Sequence, residues 1–367
     1  MSTSHTMLAP VSFITPLTTI RRTRLLPIPG EVTVRKGQPV RPTEVVATAQ
    51  ISPRHYLLNV ARGLGISDEQ TEQHVERFLG NDVHEGDIIA SRGRIGKRIV
   101  RAPVDGTIVF VAGGQVLIRV NTEPFELKAG FQGVVADLIH ERGVIISATG
   151  ALIQGIWGNG KINIGPLTVL ATTPIHELAP GELNESVKGA VVLAGHCKQP
   201  DALKAGAEAR LRGLILSSLA PELLPMASAA PYPILVTEGL GSLPFNPVAH
   251  KLLASNQKRN VTVNAEPYDR AKDTRPEIFI AVEAAELADA ELPPEASLLA
   301  PGQRVRINRA PYQGKIVRLE AILPGVTVFP NGLRTPAARI RFEKDDPAQV
   351  AEALVPLANL EILFATA

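Results

Sequence analysis

The chain has 367 residues, 45% hydrophobic and 20% charged, which is enough for two or three domains that each bury a core. A net charge of +2 excludes nucleic-acid binding by overall charge, and aromatics at 4% leave the cores to aliphatic side chains. A single cysteine, Cys197, excludes an internal disulfide and a cysteine-rich zinc site, and fits a reducing compartment.

Residues 1–27 read as an N-terminal arm. Its apolar stretch at 7–20 is interrupted by Pro10 and Pro16, and Arg21, Arg22 and Arg24 follow it. That is the wrong order for a signal peptide, and the stretch is too short to span a membrane. The expectation is a cytoplasmic protein with no transmembrane segment. The 30 glycines and 30 prolines point to short strands and many turns.

Residues 28–170 read as a β-rich region. The stretch 30–40 alternates apolar and polar residues and turns at Lys36–Gly37, with an echo at 81–90. Asp105–Gly106 between apolar flanks predicts a tight hairpin turn. Ser67 followed by Gln70 forms a capping box that opens a helix through Leu79, with Gly80 as its stop. Trp157 reads as an aromatic plug over the Gly158–Asn159–Gly160 turn.

Residues 185–283 change character. Continuous apolar runs at 189–195, 213–216 and 233–236 alternate with helical stretches at 201–211, from Pro221 and from Pro247. Asp201 and Asn246 are placed as N-caps. Such runs imply parallel strands covered on both faces, hence a small three-layer α/β domain with a mostly parallel sheet. An acidic linker follows at 284–297, and a C-terminal domain occupies 298–367.

Two resemblances refine this. Over roughly residues 28–120, the Gly-rich turns and Ala102–Pro103–Val104–Asp105–Gly106–Thr107 resemble the barrel-sandwich hybrid of biotinyl and lipoyl carrier domains. The lysine context of those carriers, Met-Lys-Met or Asp-Lys-Ala, is absent. The resemblance therefore implies the fold and no attached cofactor. In the last domain, Ala310–Pro311–Tyr312–Gln313–Gly314 resembles the Gly-Pro-Phe turn of the KOW motif of transcription elongation factors and ribosomal proteins. Ala310 stands where glycine is usual, and Val317 occupies the place of the motif's characteristic glycine. This resemblance implies a C-terminal SH3-like β-barrel, with RNA, a ribonucleoprotein or a transcription complex as partner. Such barrels also bind proteins.

Strand alternation places Arg304, Arg306, Arg339 and Arg341 outside such a barrel, and Arg94 and Arg98 lie in a basic hairpin; these six are the candidate nucleic-acid contacts. In the α/β domain, ligands sit at the carboxyl ends of parallel strands, which here carry His196, Cys197, Ser217, Ser218, Thr237 and Glu238. Ser217 and Ser218 are placed to cap the next helix or to hold an anion there. No GxGxxG, Walker or GxSxG motif follows a strand, and the eight histidines show no metal-ligand spacing. The sequence thus reads as a non-enzymatic binding or scaffold protein without a cofactor. The alternatives are a ligand-binding or enzymatic α/β domain, and an adaptor of a membrane or redox complex.

Overall fold

A computed structural model describes residues 8–51, 54–93, 96–269, 274–282, 296–342 and 352–365. The protein is β-rich. Its largest sheet is mixed and holds 17 strands of the described residues. The longest α-helix among them, Pro200–Glu208, has nine residues, so none is long and apolar enough to cross a membrane.

The segment read as an arm contains the longest strand, Leu8–Leu25. It pairs with three partners in turn: antiparallel with Ala296–Leu298, parallel with Leu360–Ala365, and antiparallel with Gly143–Gln154. Pro16 cannot donate to a ladder, and the register shifts between Thr15 and Thr18, where Pro16 and Leu17 turn outward.

The strands Val191–Cys197, Gly213–Leu219 and Ile234–Leu240 are parallel neighbours, buried at almost every residue. Helices Pro200–Glu208 and Leu224–Ala229 cover one face, where Ala202, Leu203 and Ala227 meet Val192, Leu214 and Val236. Helix Pro247–Ala254 covers the other face together with Ile14, Ile153, Ile280 and Leu363 from the surrounding β-strands. Pro247 occupies its first turn, and Asn246 Oδ1 accepts from Val248 N at 2.8 Å, as expected of that cap. Asp201, by contrast, lies inside its helix, which begins at Pro200 after Gln199 with no side-chain cap. The parallel sheet does not stop at its own edge. Ile162–Val169 pairs parallel with Val191–Cys197 and antiparallel with Asn260–Asn264, carrying the sheet into the β-rich region.

The β-rich region has two cores. Leu26, Val34, Val40, Val46, Leu127, Val135 and Ile146 form one, and Val60, Leu64, Val83, Ile89, Ile108 and Ile118 form another. The second belongs to a unit nested in the chain between Ala49 and Phe125. The sequence echo corresponds to one turn used in both. Gln38 N donates to Arg35 O while Arg35 N donates to Gln38 Oε1, and Asp87 and His84 repeat the pattern around Gly86.

Two local expectations are corrected here. The helix from Ser67 covers only Asp68–Thr71 and a 3-10 turn at Glu72–His74, and Ser67 makes no side-chain cap. Val75 is buried in the nested core and bridges to Ala90, so tertiary pairing draws the chain out of the helix. Asp105–Gly106 is not a two-residue hairpin turn: Gly106 opens the strand Gly106–Ala112. The tight turn is Gly113–Gly114, at φ +57° and +71°, joining that strand to Gln115–Val120.

Near the C-terminus, Arg304–Ile307, Ile316–Ile322, Ala337–Phe342 and Glu352–Pro356 pair as an antiparallel meander. A 3-10 turn at Leu357–Asn359 leads into Leu360–Ala365, which returns to pair with Arg304–Ile307. Of the acidic linker at 284–297, residues 284–295 lie outside the described residues.

Candidate functional site

The parallel register sets His196 beside Ser218 and Ser218 beside Gly239, so the three strand ends form one edge. Ser218 Oγ donates to Leu243 O at 2.8 Å and accepts from Leu243 N at 2.9 Å. Its single proton is thereby committed, so the 2.9 Å contact with His196 requires Nδ1–H of His196 to be the donor. Glu238 accepts from Asn246 N at 3.1 Å, and Thr237 Oγ1 donates to Leu216 O. These side chains are all buried. They fasten the segment 239–246 to the sheet.

Cys197 is fully buried among aliphatic side chains, and that burial raises its thiol pKa to about 11. The thiolate is the nucleophile, so burial works against reactivity at this cysteine. Ser217 Oγ is buried with no hydrogen-bond partner among the described residues. Neither Ser217 nor Ser218 caps the following helical segment, which starts at Pro221 after Ala220.

The segment 239–246 meets the C-terminal unit. A β-carbon on Gly314 would lie 2.9 Å from Leu243 Cδ2, and one on Gly239 2.8 Å from Leu243 Cδ1 and 3.4 Å from Gln313 Nε2. The Ala310–Gly314 turn therefore packs on the strand ends at close range, and glycine is what permits it.

Beneath this contact lies Arg306, only 4% exposed. Its alternation with Val305 and Ile307 is as expected, but the face opposite their apolar core meets the α/β unit instead of water. That corrects the outward placement of Arg306. Its Nη1 donates to Thr237 O at 2.9 Å and to Glu238 Oε2 at 3.1 Å. Nε and Nη2 donate to Glu361 Oε2 at 3.2 and 3.0 Å, and Nη2 reaches Ser12 Oγ at 3.0 Å. Ser12 donates to Glu361 Oε1 at 2.7 Å, and Arg275 Nη1 reaches both Ser12 and Glu361, at 3.0 and 3.1 Å. Two arginines face two glutamates, so the cluster is neutral as well as buried. Burial works to raise the Glu361 pKa, but the charges of Arg306 and Arg275, with hydrogen bonds from Ser12 and Arg306, overcome it and hold the carboxyl below its ordinary value. Burial likewise works against the Arg306 cation, and Glu361 and Glu238 outweigh it.

Of the remaining basic candidates, Arg98, Arg339 and Arg341 are engaged locally. Arg98 Nη1 donates to Leu64 O at 3.3 Å and Arg92 Nη1 to Gly65 O at 3.1 Å, at the C-terminus of helix Val60–Leu64. Cations are favourable there because the last carbonyls are otherwise unpaired. Arg94 lies outside the described residues. Arg341 is exposed and pairs with Glu320 and with Glu352 at 3.3 Å, and Arg339 lies 4.0 Å from Glu352. Arg304 is half-buried. No group of three or more His, Cys, Asp or Glu that could hold a metal occurs among the described residues.

The sequence reading missed Ser12, Arg275 and Glu361. A signal for Glu361 was present, since it is the one charge within Leu360–Phe364. No protein-family model matches the chain, and comparison with curated proteins finds no match.

Proposed function

We propose that this chain is a non-enzymatic scaffold in which the strand-end cluster is a structural joint, with a protein as its partner. The observation that carries the reading is Arg306. It comes from the C-terminal unit and binds the Thr237 carbonyl and Glu238 carboxylate where an α/β enzyme would keep its substrate mouth. His196 and Ser218 serve the same joint by holding the segment on which the Ala310–Gly314 turn rests. The SH3-like reading of the C-terminal unit is supported by its meander, its 3-10 turn before the last strand, and the return of that strand to the first. A nucleic-acid role for the unit would rest on Arg339 and Arg341, whose charge is shared with Glu320 and Glu352. The balance favours protein contact.

Two measurements test this. A thermal-shift screen of anions, nucleotides and metabolites is expected to leave the midpoint unmoved, because a ligand that binds only the folded state would raise it. Titration of labelled RNA and duplex DNA at low and moderate salt is expected to give no binding. A compound that raises the midpoint, or RNA affinity that falls steeply as salt rises, refutes the scaffold reading.

A further inference from the structure

We propose that two copies of this chain associate through the strand His55–Asn59 of the nested unit, antiparallel about a two-fold axis at Leu57. The strand ends its four-stranded sheet: it pairs with Gln115–Val120 on one side, and no strand of the described residues pairs on the other. Val120 N donates to Arg54 O at 2.8 Å. Hydrogen-bonded pairs alternate along an antiparallel ladder, so Tyr56 and Leu58 also turn their main-chain groups inward. The main-chain groups of His55 and Leu57 consequently face the open edge. The usual protections of an edge, a proline, a lysine or a bulge, are absent from His55–Tyr56–Leu57–Leu58–Asn59. Tyr56 and Leu57 are instead 42% and 56% exposed.

The side chains favour a second copy as the occupant. Leu57 is the middle residue of the strand, so a two-fold axis there sets Leu57 against Leu57, Tyr56 against Leu58 and His55 against Asn59. Leu57, Leu117 and Phe110 already stand directly opposite one another across three strands, with Phe110 49% exposed. Pairing joins two such rows into one apolar ridge across six strands. On the same face the row His55–Arg119–Thr107 would meet Asn59–Gln115–Ala112 of the other copy, so Arg119 faces neutral amides and not its own image. A five-residue edge buries well under the roughly 1,200 Å² of a standard interface, which makes the dimer a weak, concentration-dependent one. The surface shares no residue with the Arg306 joint.

The intact protein is tested by sedimentation across a wide concentration range, by hydrogen exchange and by cysteine crosslinking. Expected are a reversible monomer–dimer equilibrium, association at least about tenfold weaker for Leu57→Lys, as for a lysine placed on any open edge, and concentration-dependent protection of the Leu57 amide. Opposed residues in a hydrogen-bonded pair have Cα atoms about 5.5 Å apart, within disulfide range. Under mild oxidation Leu57→Cys therefore forms a covalent dimer and Tyr56→Cys does not. Cys197 is buried and leaves the readout clean. A monomer at every concentration, equal crosslinking of both variants, or capture of an apolar peptide in place of a second copy overturns the proposal. Should Leu57→Lys fail to fold, a Leu57 amide in the unaltered protein that exchanges freely at all concentrations does so equally.

Discussion

Replacing Arg306 by methionine tests the joint most directly. The change keeps an aliphatic stem and removes a buried fork that serves two carboxylates, one carbonyl and one hydroxyl. Glu361 retains Arg275 at 3.1 Å, whereas among the described residues Glu238 retains only the Asn246 amide. One carboxylate is thus left buried without a cation, and breaking a buried pair in this way costs about 3–5 kcal/mol. Arg306→Lys keeps the charge but cannot span both glutamates, so it should fall between the two. Combining Arg306→Met with Glu238→Gln removes the stranded charge, and the double variant should lose less than the sum of the singles. Urea unfolding at pH 7 measures each. The penalty of Arg306→Met should shrink as pH falls toward 4, because a carboxyl buried without its partner takes up a proton more readily than in the unfolded chain. A loss below about 1 kcal/mol, the range of an exposed ion pair, or strict additivity in the cycle, refutes the argument that Arg306 holds the units together.

In the unaltered protein the Glu361 pKa is lowered on folding, so its contribution is present above the unfolded value of about 4.3 and is lost as pH falls through the lower native one. Urea midpoints between pH 6 and 3 should therefore fall less steeply for Glu361→Gln, although that variant is less stable at pH 7. Cys197 should resist iodoacetamide at pH 8 in the folded protein and react fully in urea; mass spectrometry reads this, and rapid native labelling would contradict its burial. Gly195→Ala should lose more than about 1 kcal/mol. Its φ is +80°, and the added carbon would collide with the His176 carbonyl oxygen, which accepts from His196 N. A thermal midpoint equal to that of the unaltered protein would contradict this geometry.

The parallel strands were legible because their signal is local. A strand buried on both faces must be apolar throughout, and Val191–Leu193 and Leu214–Leu216 say so without reference to anything distant. The Asn246–Pro247 start was legible for the same reason. The helix from Ser67 was misread because its early residues satisfy a local rule while Val75 answers to Ala90, fifteen positions on. The candidate site was legible in part. His196, Ser218, Thr237 and Glu238 do gather at one edge, as strand topology demands, but what fills the edge is Arg306. Alternation tells one face of a strand from the other. It does not tell which face meets water, and for Arg306 the answer lay in a different unit of the chain.

The joint also closes the chain upon itself. Ser12 and Glu361 are 349 positions apart, and the strand Leu8–Leu25 lies parallel to Leu360–Ala365 at Val11–Ile14. The five polar members come from four parts of the sequence: Ser12 from the first strand, Glu238 from the α/β unit, Arg275 from the segment before Glu277–Ala281, and Arg306 and Glu361 from the first and last strands of the C-terminal unit. A partial set would bury an arginine or a glutamate without its counter-charge, at a cost larger than the net value of the complete cluster. Docking of the first strand, the α/β unit and the C-terminal unit is therefore coupled, and intermediate arrangements are penalised. A purely apolar contact would hold the units as strongly and leave them freer to slide. The paired charges accept one register, and that register is what fixes how the units sit on one another.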